Sequence, residues 1–320
     1  MELCFLGTGA GLPSSRRNVT SVALRFAETG GLWLFDCGEA TQHQVQKTPL
    51  KLSKLTRIWL THLHGDHLFG LPGVLTSRSH NGISTPLTIY GPPGVARFVD
   101  VALEVSRSVL QYELHVVEIE RDYWPDEDEP LLDDGYCRVY AARLDHRIEC
   151  FGYRIEELAK PGKLNERKLR ECGVEPGPLY RRLKEGHDVR LPDGRMLRSS
   201  DFTGSPLPGR IVAVMGDTRR CGAAVRLSRN ADVLVHEATF GEQLRPLAHA
   251  YYHSTSCDAA ETAREAAARA LVLTHLSSRY QDGAEELLLA EARAIFPHTM
   301  VAEDLWTYAI AQKNHQSPIA

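Results

Sequence analysis

Residues 61–67 read Thr-His-Leu-His-Gly-Asp-His and follow directly on the apolar run Arg57–Leu60. Side chains on a strand alternate between its two faces, so His62 and His64 project the same way. Gly65 permits a sharp turn, which brings Asp66 and His67 round to the same cavity. Neutral imidazoles and a carboxylate are the donors that zinc and similar first-row ions take. The chain is therefore expected to build a metal site at the carboxyl end of a strand.

Composition narrows the surroundings of that site. With 320 residues, 43% of them apolar, the chain can bury a sizeable core without staples. No apolar run approaches the roughly 18 residues needed to span a bilayer, which excludes a membrane protein. The opening MELCFLGTGAGLP has no basic segment ahead of an apolar one, so no signal peptide is read. Seven cysteines, an odd number with no Cys-x-x-Cys pair, argue against a disulfide framework and suit a reducing cytoplasm. The net charge of −4 disfavours a nucleic-acid binder only on average. Segment 151–210 carries thirteen Lys and Arg against nine Asp and Glu, leaving the rest of the chain at −8. A locally basic segment still attracts phosphates, because attraction follows the local field.

The first half reads as short strands at Leu3–Leu6, Val19–Phe26, Leu32–Asp36, Arg57–Thr61 and Leu87–Tyr90, with helical spacing over Val95–Leu110. Strands resume at Cys137–Leu144, Ile211–Met215, Val233–Val235 and Leu271–Thr274, with an Ala-rich helix over 258–270. Between them, 151–210 is dense in Pro-Gly turns among basic residues and reads as an inserted arm. Two short echoes, LTHL at 60–63 and 273–276 and EAT at 39–41 and 237–239, suggest a duplicated β-rich half. The class expected is α/β, with helices packed on paired sheets.

His-x-His-x-Asp-His after an apolar strand resembles the signature of the metallo-β-lactamase fold. The resemblance extends to the ribonuclease Z branch of that superfamily and covers nearly the whole chain. It rests on FLGTGAGLP, WLFDCGEATQ at 33–42, THLHGDHLFGLPGVLTSRS at 61–79, GDTR at 216–219, HEATF at 236–240, YYHSTS at 251–256 and THLSSRY at 274–280, all in the family's order. It implies a single four-layer αββα domain over 1–320, with 151–210 as the family's inserted tRNA-binding flexible arm. It also implies two zinc ions per subunit: His62, His64 and His146 on one, Asp66, His67 and His275 on the other, and Asp217 bridging.

Two ions at the roughly 3.5–4 Å spacing of binuclear sites activate a shared water and clamp an in-line displacement. The resemblance gives Asp66 the role of general base. It makes His253, held by Glu237, the proton donor to the leaving ribose 3′-oxygen. The activity implied is removal of the 3′ trailer from precursor tRNA after the discriminator base, leaving a 3′-hydroxyl. The partners implied are precursor tRNA and, since one subunit's arm serves the other's site, a second copy in a homodimer.

Rival readings use the same residues. A generic phosphodiesterase or arylsulfatase-like hydrolase needs the same metals and no arm. A metal-stabilised RNA-binding module needs only a closed site with four ligands. Gly7-Thr8-Gly9-Ala10-Gly11 resembles a dinucleotide fingerprint, but its third glycine comes one residue early and the ribose-binding acid is missing. Ser15 replaces the lysine of the family's PxKxRN loop, and Arg279 is a candidate phosphate contact.

Overall fold

The computed structural model describes residues 1–312. Short, mostly buried strands open the chain, β1 (Glu2–Gly7), β2 (Ser21–Arg25), β3 (Leu32–Phe35), β4 (Leu55–Trp59) and β5 (Leu87–Gly91), followed by the half-exposed edge strand β6 (Leu114–Glu118). Next come β7 (Leu132–Asp133), β8 (Cys137–Arg143) and β9 (Phe151–Glu157). The arm holds the two-residue strands β10 (Val189–Arg190) and β11 (Met196–Leu197). The chain then returns through β12 (Ile211–Val214), β13 (Val233–Glu237), β14 (Leu271–Thr274), β15 (Thr299–Val301) and β16 (Thr307–Ala309).

Two seven-stranded sheets result, ordered β16-β1-β2-β3-β4-β5-β6 and β15-β14-β13-β12-β9-β8-β7. Each runs through three antiparallel pairings and then three parallel ones, so the two halves share one pattern. The EAT and LTHL echoes fall at or just past the ends of neighbouring parallel strands in both halves, β3 and β4 in one and β13 and β14 in the other.

The sheets face each other across a core that includes Phe5, Trp33, Phe35, Trp59, Tyr153 and Val235. Helices Thr41–Gln46, Leu71–His80 and Val95–Ser106 cover the outer face of the first sheet. Gly222–Leu227, Ser256–Glu265 and Glu285–Ile295 cover the second, with Ala224, Ala259, Ala260, Ala263 and Ala292 letting them lie close. This is the four-layer αββα architecture. The Ala-rich helix begins earlier than its sequence pattern suggests. Thr255 caps it, its hydroxyl accepting from the Asp258 N–H while the Asp258 carboxylate accepts from the Thr255 N–H.

The arm boundary moves. Phe151–Glu157 is β9, buried along its length between β8 and β12, so the segment outside the sheets is 158–210. That segment is more than a solvated hairpin. Leu169, Val174, Tyr180, Leu183, Val189, Leu191, Leu197 and Phe202 form a small core of its own. Its root is a buried ion pair: Arg210 meets the Glu157 carboxylate through Nε and Nη2, both at 2.7 Å, and Lys160 Nζ joins at 2.7 Å.

Candidate metal centre

The 61–67 segment leaves β4 in extended conformation, gripped from both sheets. Tyr153 donates its hydroxyl to the Leu60 carbonyl (2.5 Å), and the Phe151 N–H donates to the Thr61 carbonyl (2.8 Å). From the other side, the Asp36 carboxylate accepts the Thr61 N–H (2.7 Å) and the Thr61 hydroxyl (2.8 Å). Gly65 opens a short helix, Gly65–Leu68. The sharp-turn reading of that glycine gives way to a steric one: a Cβ there would lie 2.3 Å from the Phe69 ring. The left-handed backbone falls elsewhere, at Asp36 (φ 59°) and His275 (φ 55°), both just past strand ends. Non-glycine residues rarely adopt it, and such strain gathers at functional sites.

The structure brings all nine sequence-derived site residues into one cluster. His62, His64 and His146 form one donor group, and Asp66, His67 and His275 another. Asp217 stands between them, its carboxylate oxygens 3.8 Å from His62 Nε2, 3.5 Å from His67 Nε2 and 3.4 Å from His275 Nε2.

The outward nitrogens settle which atoms face inward. His67 Nδ1 donates to Asp36 Oδ2 (2.8 Å) and His146 Nδ1 to the Tyr252 carbonyl (3.0 Å). Thr61 and Thr239 each give their hydroxyl proton to a carboxylate, so their oxygens accept from His62 Nδ1 (3.0 Å) and His275 Nδ1 (2.9 Å). All four imidazoles therefore turn Nε2 inward, the second-sphere pattern of metal-bound histidine. His64 turns Nδ1 inward, 3.0 Å from His62 Nε2 and 3.3 Å from His146 Nε2.

Ring nitrogens this close, with two carboxylates among them, converge on one point and fit a cation. The same demand shows as proton affinity. Burial disfavours a charged His67, but Asp217 and Asp36 outweigh it and hold its pKa well above the imidazole range. Burial likewise disfavours an ionised Asp217, yet His275 and His67 keep its carboxyl well below the usual range.

His253 stands at the edge of this cluster, close enough to Asp217 and His275 to form a further donor group with them, its Nδ1 2.9 Å from Glu237 Oε1 and 3.7 Å from Asp217 Oδ2. Burial alone would lower its pKa. The Glu237 carboxylate outweighs that, with Asp217 adding to it, and His253 is raised to about 9. Glu237 is fixed in turn by the Thr218 N–H (2.8 Å) and the Thr239 hydroxyl (2.6 Å).

Sequence reasoning assigned no role to Asp36, Thr61 or Thr239, which orient the donors. The signal for Asp36 was present: like Asp217, it is an aspartate just past an apolar strand. The glycine-rich loop set aside as a weak dinucleotide motif also lies here, with the Gly11 N–H donating to Asp66 Oδ2 (2.8 Å). An open cavity of about 410 Å³ lies against the cluster, lined by Gly11, Asp66, Phe240, Tyr251, His253 and Arg279 among others.

Paired sheets with helices outside and a His/Asp cluster at the strand ends define a metal-dependent hydrolase of the metallo-β-lactamase fold. A solved metallo-β-lactamase fold protein of Bacillus subtilis superposes with a TM-score of 0.65 at 18% identity, covering 96% of this chain and 98% of that one. A family model described as anti-Pycsar protein Apyc1 matches residues 1–103, about a third of the chain. Full-length kinship is more particular. A ribonuclease Z of Geobacillus kaustophilus is 52% identical over 311 residues, 97% of this chain and 99% of the relative. The solved short form of human tRNase Z has a TM-score of 0.69 at 32% identity, covering 97% of this chain and all of that one. The chain belongs to the ribonuclease Z family.

Proposed function

We propose that this chain is a metal-dependent endoribonuclease that removes the 3′ trailer from precursor tRNA, cutting after the discriminator base. The observation that carries the chemistry is the cavity that places Asp66 and His253 beside a single group of donors. Kinship with ribonuclease Z along almost the whole chain supports the substrate.

His62, His64 and His146 would hold one zinc ion, Asp66, His67 and His275 a second, and Asp217 would bridge. Two bound divalent ions would supply Lewis acidity, making the attacking water more acidic and neutralising charge on the phosphoryl oxygens. Asp66 orients that water and takes its proton, while the Gly11 amide holds the carboxylate in place. The water oxygen bonds to phosphorus as the bond from phosphorus to the ribose 3′-oxygen breaks. His253, kept protonated by Glu237, gives its proton to the departing 3′-oxygen. The tRNA keeps a 3′-hydroxyl and the trailer a 5′-phosphate.

The 158–210 arm binds tRNA through its backbone phosphates. Arg167, Arg181 and Arg195 are neutralised by neighbouring acids, whereas Arg182, Lys184, Arg190 and Arg198 have no carboxylate partner among the described residues. We assign a homodimer in which one subunit's arm reaches its partner's site. The exposed Val101, Val105 and Val109, on and just after helix Val95–Ser106, support a buried contact between copies. All seven cysteines are free, which supports a cytoplasmic setting.

The test is cleavage of a 3′-extended precursor tRNA with the product ends mapped. The expected products are one cut after the discriminator base, a 3′-hydroxyl, a 5′-phosphate and no 2′,3′-cyclic phosphate. Hydrolysis of small phosphodiesters without that cut would favour the generic hydrolase.

A further inference from the structure

Of the large apolar side chains exposed among the described residues, two are aromatic, and both flank the donor cluster. Phe69 is 65% exposed and lies two residues after His67; Tyr251 is 53% exposed and lies two residues before His253. They come from different halves of the fold. The Phe69 ring lies against the bare α-carbon of Gly65, between His64 and Asp66. Tyr251 lines the cavity on the wall that carries His253.

Exposed aromatic rings lose favourable transfer energy unless something covers them. What covers Tyr251 is indicated by the charge around its cavity, and Phe69 lies outside that cavity's lining, across Gly65. The Arg147 guanidinium lies 5.7 Å from the Tyr251 ring centroid, and that of Arg279 lies 5.6 Å from the Phe240 ring at the same cavity. Both arginines are exposed, and neither has a carboxylate partner among the described residues. Aromatic faces interleaved with unneutralised arginines are the surface that single-stranded nucleic acid takes: bases stack on the rings and phosphates meet the cations. An apolar contact between two protein copies would leave those cations without a counter-charge.

Resting on the trailer-removing reading above, we propose that Tyr251 and Phe69 are stacking platforms for the two nucleobases that flank the scissile phosphodiester. The direction of the reaction decides which ring takes which base. His253 protonates the 3′-oxygen of the discriminator nucleotide, so that nucleotide lies on the His253 wall and its base stacks on Tyr251. The first trailer nucleotide carries the phosphorus away towards the Asp66 side, where its base stacks on Phe69. Both bases are unpaired in the precursor, so each is available for stacking. The two rings thereby hold the strand splayed across the metal centre, whatever the bases are.

The experiment is single-turnover cleavage of a 3′-extended precursor tRNA with an abasic ribose at the discriminator or at the first trailer position. The enzymes compared are the native protein, Tyr251→Ala and Phe69→Ala. With the native enzyme each abasic substrate should react about 10- to 100-fold more slowly, the range expected for loss of one stacked base. Tyr251→Ala should lose a similar factor on the intact substrate and at most about threefold more on the abasic discriminator. Phe69→Ala should behave likewise towards the abasic trailer position only, and Tyr251→Phe should restore the native pattern.

Metal content and oligomeric state are measured on each variant. Fully multiplicative losses in the matched pairs would overturn the proposal. So would a variant whose whole defect tracks dissociation of the dimer, which would make that ring a contact between copies. Failure of the native enzyme to cut the intact precursor would instead remove the reading on which the proposal rests.

Discussion

The metal centre and the arm are held by opposite means. In the centre four of the five inward-facing histidines are fixed by an outer partner, and three of those partners come from distant points of the chain: Asp36 for His67, Thr239 for His275, the Tyr252 carbonyl for His146. The donors themselves come from the ends of strands in both sheets, so no half of the molecule makes the site alone. The arm is local: a small core of its own, ion pairs four residues apart, and one buried pair, Glu157 with Arg210, at its root. The contrast matches the proposed division between chemistry, which needs fixed geometry, and recognition of a phosphate backbone by the arm, which needs charge and reach.

The largest effect that would test this division is at the bridging position. Asp217→Ala should abolish cleavage, with a loss of at least about 10³-fold on precursor tRNA and small phosphodiesters alike. Its far-ultraviolet circular dichroism should stay native. Loss on the large substrate only would break the distinction between the two regions.

Next in size is Asp36→Asn, which keeps the shape and removes the charge behind His67 and Thr61. Metal affinity should fall by about 10- to 100-fold, the usual cost of losing such an outer partner, and excess metal should restore turnover. Equilibrium dialysis reads the first outcome and rate measurements the second.

In the arm, Arg182→Ala with Lys184→Ala should raise KM for precursor tRNA by about 3- to 10-fold and leave small-phosphodiester hydrolysis unchanged. The slope of log affinity against log salt should flatten by about 1.5, the share of two phosphate contacts. An unchanged slope would remove these cations from the tRNA contact.

The smallest effect on cleavage is at the arm's root, where the change is one of stability. Burial raises the pKa of Glu157, but Arg210 and Lys160 outweigh it and bring it to about 2. A depressed folded-state value stabilises the protein above the ordinary carboxyl pKa near 4.5 and is lost as pH falls from there towards 2. The contribution at neutral pH is about 3 kcal/mol. Glu157→Gln should therefore lower Tm by about 5–10 °C at pH 7. That gap should narrow as pH is taken below about 4.5, and a gap constant to pH 3.5 would contradict the assignment.

How much was legible in the sequence follows the same division. The donors were readable because each is a His or Asp at the end of an apolar strand, and because four of them lie within six residues. The partners behind them were not, since Asp36 and Thr239 meet His67 and His275 across 31 and 36 residues of chain. The arm's composition marked it as an insertion, but its first boundary fell at 151. The segment Phe151–Glu157 carries two glutamates and an arginine and reads as polar, while in the fold Glu157 and Arg154 are buried in ion pairs and hydrogen bonds. Gly65 was read as a turn, because the ring that needs its missing side chain, Phe69, lies four residues on and has meaning only in three dimensions.

The most direct test is to strip the protein of metal and titrate zinc back while following precursor cleavage and bound metal per chain together. Turnover should stay absent without metal and rise to its full value as two ions bind per chain. Cleavage of equal rate in the stripped protein, or full activity with less than one ion bound per chain, would contradict a binuclear centre shared between the two sheets.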